Sequence, residues 1–171
     1  MQKLKLLFIA LPFVSTFSFA TEDVSGHRIG AGYSHVEDVT DSNNSYTRGT
    51  GIKLEYGYEF NKIFGLNAAF SAQNGNVMGV NVDSYSHKLD TDIGYTFVFD
   101  SFSIKPYGSA GLVLLHEQYG NFIDASEAAL TVGIGTRVVF NQHFYADISY
   151  DIAAYEEVDL DTISFTLGYK F

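Results

Sequence analysis

The sequence predicts an all-β fold, an eight-stranded antiparallel up-and-down transmembrane β-barrel. Three observations predict it. Eight stretches alternate between large apolar or aromatic residues and small or polar ones, the period of a strand with one greasy face. The polar set is rich in glycine and in charges of both signs, which suits a narrow lumen better than a soluble surface. The chain also stops on such a strand, Ile163-Ser164-Phe165-Thr166-Leu167-Gly168-Tyr169-Lys170-Phe171, where the ends of soluble domains fray.

The segments follow in order. In 27–36, Ile29, Ala31 and Tyr33 oppose Arg28, Gly30, Gly32 and Ser34. In 50–60, Ile52, Leu54, Tyr56, Tyr58 and Phe60 oppose Gly51, Lys53, Glu55, Gly57 and Glu59. In 64–74, Phe64, Leu66, Ala68, Phe70 and Ala72 oppose Asn67, Ser71 and Gln73. The fourth, about 84–99, sets Leu89, Ile93, Tyr95, Phe97 and Phe99 against Lys88, Asp90, Asp92, Gly94 and Thr96. The fifth, about 103–116, is the least regular, with Pro106 near its start, where a missing donor costs least. In 128–140, Leu130, Val132, Ile134, Val138 and Phe140 oppose Thr131, Gly133, Gly135 and Arg137. In 144–153, Phe144, Ala146, Ile148, Tyr150 and Ile152 oppose Asp147, Ser149 and Asp151. The terminal strand is the eighth.

Connections alternate in length. Residues 61–63, 100–102 and 141–143 are short turns, and 37–49, 75–83, 117–127 and 154–161 are longer and polar. That pattern predicts periplasmic turns and extracellular loops, with the loop from Asp38 to Thr50 mobile. Phe60, Phe64, Phe99, Phe140, Phe144 and Phe171 fall at the short-turn end and predict an aromatic girdle there; Tyr33, Tyr85 and Tyr150 are candidates for the upper one.

Residues 1–20 read as a signal peptide: Lys3 and Lys5, a short apolar core, then Ser18-Phe19-Ala20 before a cut at Thr21. The predicted mature barrel domain is 21–171. Net charge is −10, and losing Lys3 and Lys5 makes it −12, which argues against nucleic-acid binding. There is no cysteine. No mature segment approaches the ~20 apolar residues of a spanning helix.

The predicted lumen carries Arg28, Lys53, Lys88, Lys105, Arg137 and Lys170 with Glu55, Glu59, Asp90, Asp92, Asp147 and Asp151, six charges of each sign. Charges in so narrow a space persist only when paired. The turn at 141–143 sets Phe140 opposite Phe144, so Arg137 is expected to face and pair with Asp147. Arg48 and Lys62 fall outside this set. The long connections are acidic: Glu37, Asp38 and Asp41 against Arg48, then Glu117, Asp124 and Glu127, then Glu156-Glu157-Val158-Asp159-Leu160-Asp161. Divalent-cation binding is one reading of them and a solvated surface the other; the spacing does not match an EF-hand loop. His35, His87 and His116 are expected outside near the upper rim, with Ser34, Ser84 and Ser86 nearby, and no Ser-His-acid set follows from the spacing.

The chain resembles the small eight-stranded outer-membrane proteins, the OmpX/Ail group and the OmpA transmembrane domain. The signal peptide, the strand Lys105-Pro106-Tyr107-Gly108-Ser109-Ala110-Gly111-Leu112 and the closing Phe165-Thr166-Leu167-Gly168-Tyr169-Lys170-Phe171 carry the resemblance. It implies a Gram-negative outer-membrane location, contact with outer-membrane lipid and lipopolysaccharide, and an assembly signal at Phe165, Leu167, Tyr169 and Phe171, read by the barrel-assembly machinery. Two departures stand out. The loops lack the basic patches of Ail-like adhesins, and the chain ends before any OmpA-like peptidoglycan-binding domain. The resulting expectation is a non-enzymatic monomer with a plugged lumen and no cofactor or metal. Its role is envelope integrity, or adhesion through short acidic loops to a ligand the sequence does not name. The alternatives are a weakly conducting porin-like channel and a lipid A-modifying enzyme.

Overall fold

The computed structural model describes residues 24–171 except 41–43, 78–79, 120–122 and 156–158. The predicted signal peptide and its cut lie outside these residues. The strands are β1 (Gly26–Thr40), β2 (Asn44–Glu59), β3 (Phe64–Val77), β4 (Val80–Gly94), β5 (Phe97–Val98), β6 (Phe102–Tyr119), β7 (Ile123–Phe140), β8 (Phe144–Ala154) and β9 (Asp159–Lys170). β5 continues the line of β4 after a break at Tyr95-Thr96, where the Thr96 amide donates to the Lys62 carbonyl at 2.8 Å. The wall therefore has eight staves. Every neighbouring pair is antiparallel, and β1 closes on β9, which leaves no edge facing lipid.

The connections differ from expectation, since strand pairing takes over much of 37–49, 75–83, 117–127 and 154–161. The stretch from Asp38 to Thr50, expected as a mobile loop, is mostly strand: Asp38 pairs with Tyr46, Val39 with Ser45 and Thr40 with Asn44. The wall's own hydrogen bonding thus extends past the point where the apolar alternation stops. Phe102 begins β6 instead of ending a turn, since its carbonyl accepts from the Phe99 amide at 2.8 Å. The expected fourth strand, 84–99, is interrupted at Tyr95-Thr96.

Register fixes the shape of the barrel. Starting from Tyr107 and stepping strand to strand, the partners are Gly135, Ser149, Ser164, Ser34, Gly51, Gln73, Ser84 and finally Glu117 on the original strand. One circuit therefore shifts the register by ten residues. With a rise of ~3.3 Å per residue and strands ~4.8 Å apart, this tilts the strands by about 41°, inside the range of closed barrels.

The burial pattern is inside out. Leu130 is 70% exposed and Ile134 67%, whereas Arg28 and Asp92 are completely buried. A wall of exposed leucine, isoleucine, valine and aromatic rings is stable in lipid and not in water.

Candidate functional site

Among the described residues, the lumen gathers charged side chains in quantity, and β6 reads as a section through it. From the short-turn end, its inward residues are Lys105, Tyr107, Ser109, Gly111, Val113, Leu115 and Glu117. The order along this stave is charged, polar, small, apolar and charged again.

The lowest layer is an ion-pair block. Arg28 Nη1 donates to Glu55 Oε1 at 2.7 Å, and its guanidinium lies 3.4 Å from Glu59 and 3.6 Å from Asp92. Lys105 donates to Glu59 at 2.6 Å and also bonds Asp92. Arg137 pairs with Asp147 at 2.9 Å, the cross-strand contact expected from the 141–143 turn, and also bonds Glu59 and Asp92. Asn67 bridges the carboxylates, donating to Asp90 at 2.7 Å and Asp92 at 3.0 Å. Tyr107 donates to Asp147 at 2.9 Å while its ring lies 4.9 Å beneath the Arg137 guanidinium. The arginines thus meet carboxylates on several staves at once, which offsets the large cost of desolvating them.

Above this block, Lys53 lies 2.9 Å from Glu55, and Lys88 lies 3.0 Å from Asp151 and 3.3 Å from Asp90. A void of about 10 Å³ remains among Lys53, Glu55, Lys88, Tyr107 and Asp151, room for one water. Lys170 sits lower than the other predicted cations, at the short-turn mouth, where Nζ donates to the Val24 carbonyl at 2.6 Å.

The next layer is apolar on five of the eight staves. Val36, Val113, Ala129, Ala153 and Leu160 are buried toward the axis, with Tyr155 packed against them. Val36, Val113, Ala153, Tyr155 and Leu160 border a cavity of about 60 Å³, which Ser71, Gln73, Ser86 and Lys88 complete on the other side, far below the roughly 300–1,000 Å³ of a small-molecule site. This ring was not legible as a unit, because its members come from β1, β6, β7, β8 and β9.

The roof corrects the assignment of Arg48. Strict alternation places Arg48 outside the lumen, but a β-bulge between Val36 and Glu37 leaves it as an extra residue opposite that step. Its Nε donates to Glu117 Oε1 at 2.7 Å and its Nη2 bonds Glu117 Oε2. Ser84 adds a hydroxyl 3.2 Å from Glu117. Glu117 is buried, not a free loop carboxylate. Just past β8, burial and then the Glu117 and Glu127 carboxylates push the Tyr155 phenol up to about 12, so it stays neutral at ordinary pH.

The outer surface carries the other predicted residues. Phe60, Phe64, Phe99, Phe140, Phe144 and Phe171 are exposed around the short-turn rim. Sequence reasoning left Tyr95, Phe97, Phe102 and Tyr169 out of that rim, although all four are exposed there. Phe165, Leu167, Tyr169 and Phe171 all face outward. The Phe171 amide donates to the His27 carbonyl at 2.8 Å and its carbonyl accepts from the His27 amide at 2.9 Å, which ties the seam.

Ser34, Ser84 and Gln73 point inward, with Gln73 donating to Ser34 at 2.8 Å, whereas His87 is exposed on the outer wall. A serine and a histidine on opposite faces of one wall cannot exchange a proton. His35 lies 3.2 Å from Glu37. His116 Nδ1 is 2.7 Å from Ser126 Oγ, a pair the sequence did not suggest because the two are cross-strand neighbours. No carboxylate is hydrogen-bonded to His116 among the described residues, and no cluster of three or more His, Asp or Glu there could hold a metal.

Solved structures share this architecture. Ail, the attachment invasion locus protein of Yersinia pestis, matches with a TM-score of 0.59 at 22% identity, covering 85% of this chain and 99% of that one. The Neisserial surface protein A matches with a TM-score of 0.64 at 19% identity, covering 86% and 98%. The N-terminal barrel domain of Pseudomonas aeruginosa OprF matches with a TM-score of 0.57 at 16% identity, covering 86% and 99%. At these identities the likeness shows the fold. No curated protein sequence matches the chain. A family model described as an outer membrane protein beta-barrel domain matches residues 6–171, so this inside-out, closed barrel belongs to that family.

Proposed function

We propose that the chain is a non-conducting outer-membrane barrel whose lumen is a structural plug and whose loop end serves the cell surface, in envelope integrity or in adhesion. One observation carries this reading: the lumen is closed twice in series. The Arg28–Glu59–Asp92–Lys105–Arg137 block fills the lower lumen, and Val36, Val113, Ala153 and Leu160 narrow it above to a cavity of about 60 Å³. An ion would have to displace paired charges at one barrier and squeeze past apolar side chains on five staves at the other. The test is a planar-bilayer recording of the purified, folded protein. The expected result is no discrete current, and reproducible unitary steps would establish the channel reading instead.

A surface ligand for this chain differs from that of one structural neighbour. Ail is described in complex with the heparin analogue sucrose octasulfate. Here Arg48 is engaged by Glu117, and Glu37, Glu127, Asp159 and Asp161 add negative charge at the loop end. A polyanion would be repelled, so the fitting partner is neutral or cationic. The protein is expected to pass through a heparin column at physiological salt. Salt-dependent retention would show that the acidic loop end does not set partner choice.

A further inference from the structure

Of the three outward histidines named from the sequence, two have protein partners: His35 faces Glu37 at 3.2 Å and His116 faces Ser126 at 2.7 Å. His87 is exposed on the lipid wall, and its contact is a tilted stack on Phe70 with ring centres 5.1 Å apart. An imidazole placed there has nitrogen atoms that protein groups do not satisfy, and water is scarce in the bilayer. Such a group is costly unless a lipid group completes it.

The depth of His87 identifies that group. Tyr95 and Tyr85 are both exposed and ten residues apart on one stave. At a rise of ~3.3 Å and a tilt of about 41°, they are ~25 Å apart along the membrane normal, the height of the apolar band. His87 lies one outward step below Tyr85, so its ring sits ~5 Å under the loop-end interface. That is the level of acyl-chain ester and hydroxyl groups, below the headgroup charges.

The wall beside His87 is grooved. A hollow of about 410 Å³ runs along the outer wall, lined by Ile29, Leu54, Tyr56, Ala68, Phe70 and His87. Its floor is Ala68, whose cross-strand neighbours are the larger Tyr56 and Leu89. The groove is continuous with the lipid-facing wall, so a hydrocarbon chain is the occupant its surroundings supply.

We propose that this groove holds one acyl chain of a saccharolipid in the loop-end leaflet, with a hydroxyl on that chain hydrogen-bonded to His87. A neutral imidazole presents one donor and one acceptor. An ester carbonyl can accept from the N–H but leaves the bare nitrogen without a donor, which a hydroxyl at the same depth supplies. The proposal rests on membrane embedding alone and is independent of whether the lumen conducts.

Native mass spectrometry of the folded barrel tests it, with two probes offered at equal concentration. One is lipid A bearing 3-hydroxytetradecanoyl chains, and the other is a phosphatidylethanolamine with unsubstituted chains. Wild type is expected to carry one lipid A adduct, with occupancy about tenfold lower in His87→Leu, the effect of losing roughly 1.4 kcal/mol of hydrogen bonding. Ala68→Phe, which fills the groove, is expected to lose the adduct as well, and phosphatidylethanolamine to bind all three alike. His87→Leu puts a more apolar residue on the lipid face, so folding, read by heat-shifted gel mobility, is expected to survive. Equal lipid A occupancy in wild type and His87→Leu would overturn the proposal. So would a phosphatidylethanolamine adduct as sensitive to His87→Leu as lipid A is, or a protein dimer in place of the lipid adduct.

Discussion

At the scale of single residues, the lumen works because some positions have no side chain. Arg28 is fully buried, and its guanidinium occupies the space beside Gly57. A Cβ at position 57 would stand 2.6 Å from the Arg28 Cζ. Glycine is required there for close approach, not for its dihedral freedom. Gly57→Ala is therefore expected to push Arg28 off Glu55 and cost about 2 kcal/mol, measured by urea unfolding in lipid vesicles. Gly108 is the control, because a Cβ there meets only the Gly133 carbonyl at 3.8 Å. Gly108→Ala should stay within about 1 kcal/mol of wild type. Equal effects at the two positions would mean that Arg28 is not held by that space.

At the scale of elements, hairpins joined by short turns were legible and the bulge was not. Three residues between Phe140 and Phe144 fix which residues face each other, so the Arg137–Asp147 pair follows from counting. Arg48 is different. One unpaired residue in β2 reverses its face, and nothing in the local alternation marks where the extra residue is absorbed. The closing strand also acts as an element. Phe171 exchanges two backbone hydrogen bonds with His27, and their rings stack with centres 5.7 Å apart. Phe171→Ala keeps the backbone bonds and removes the terminal ring. It is expected to lower the amount of heat-modifiable barrel reaching the outer membrane, while the barrel that does fold unfolds at a urea concentration close to wild type. Normal yields of folded protein in the membrane would count against a role for Phe171 in assembly.

At the scale of the whole molecule, the two barriers act in series, so opening one should not open the lumen. Leu160 is 4% exposed and comes from β9 into the apolar ring. Leu160→Ser should let water into that ring, yet the planar bilayer is expected to stay silent, since the Lys105 and Arg137 pairs with Glu59 and Asp92 remain below. A current from this single variant would mean that ions already pass the ion-pair block and that the apolar ring alone seals the barrel.

The sequence by itself determined the class of fold and, away from the bulge at Arg48, the faces of the strands. Period-2 alternation is local and carries across each strand whatever the strand pairs with. It could not determine which charges meet, that the lumen is layered, or that Arg48 turns inward. Those depend on the ten-residue shear that carries Tyr107 round to Glu117 and sets side chains from distant strands at one height. Arg28 meets Asp92 across 64 positions of chain because closure puts β1 and β4 around a lumen only a few side chains wide. The physical reason is that alternation assigns a side chain to a face, whereas closing the sheet assigns it a height and a neighbour.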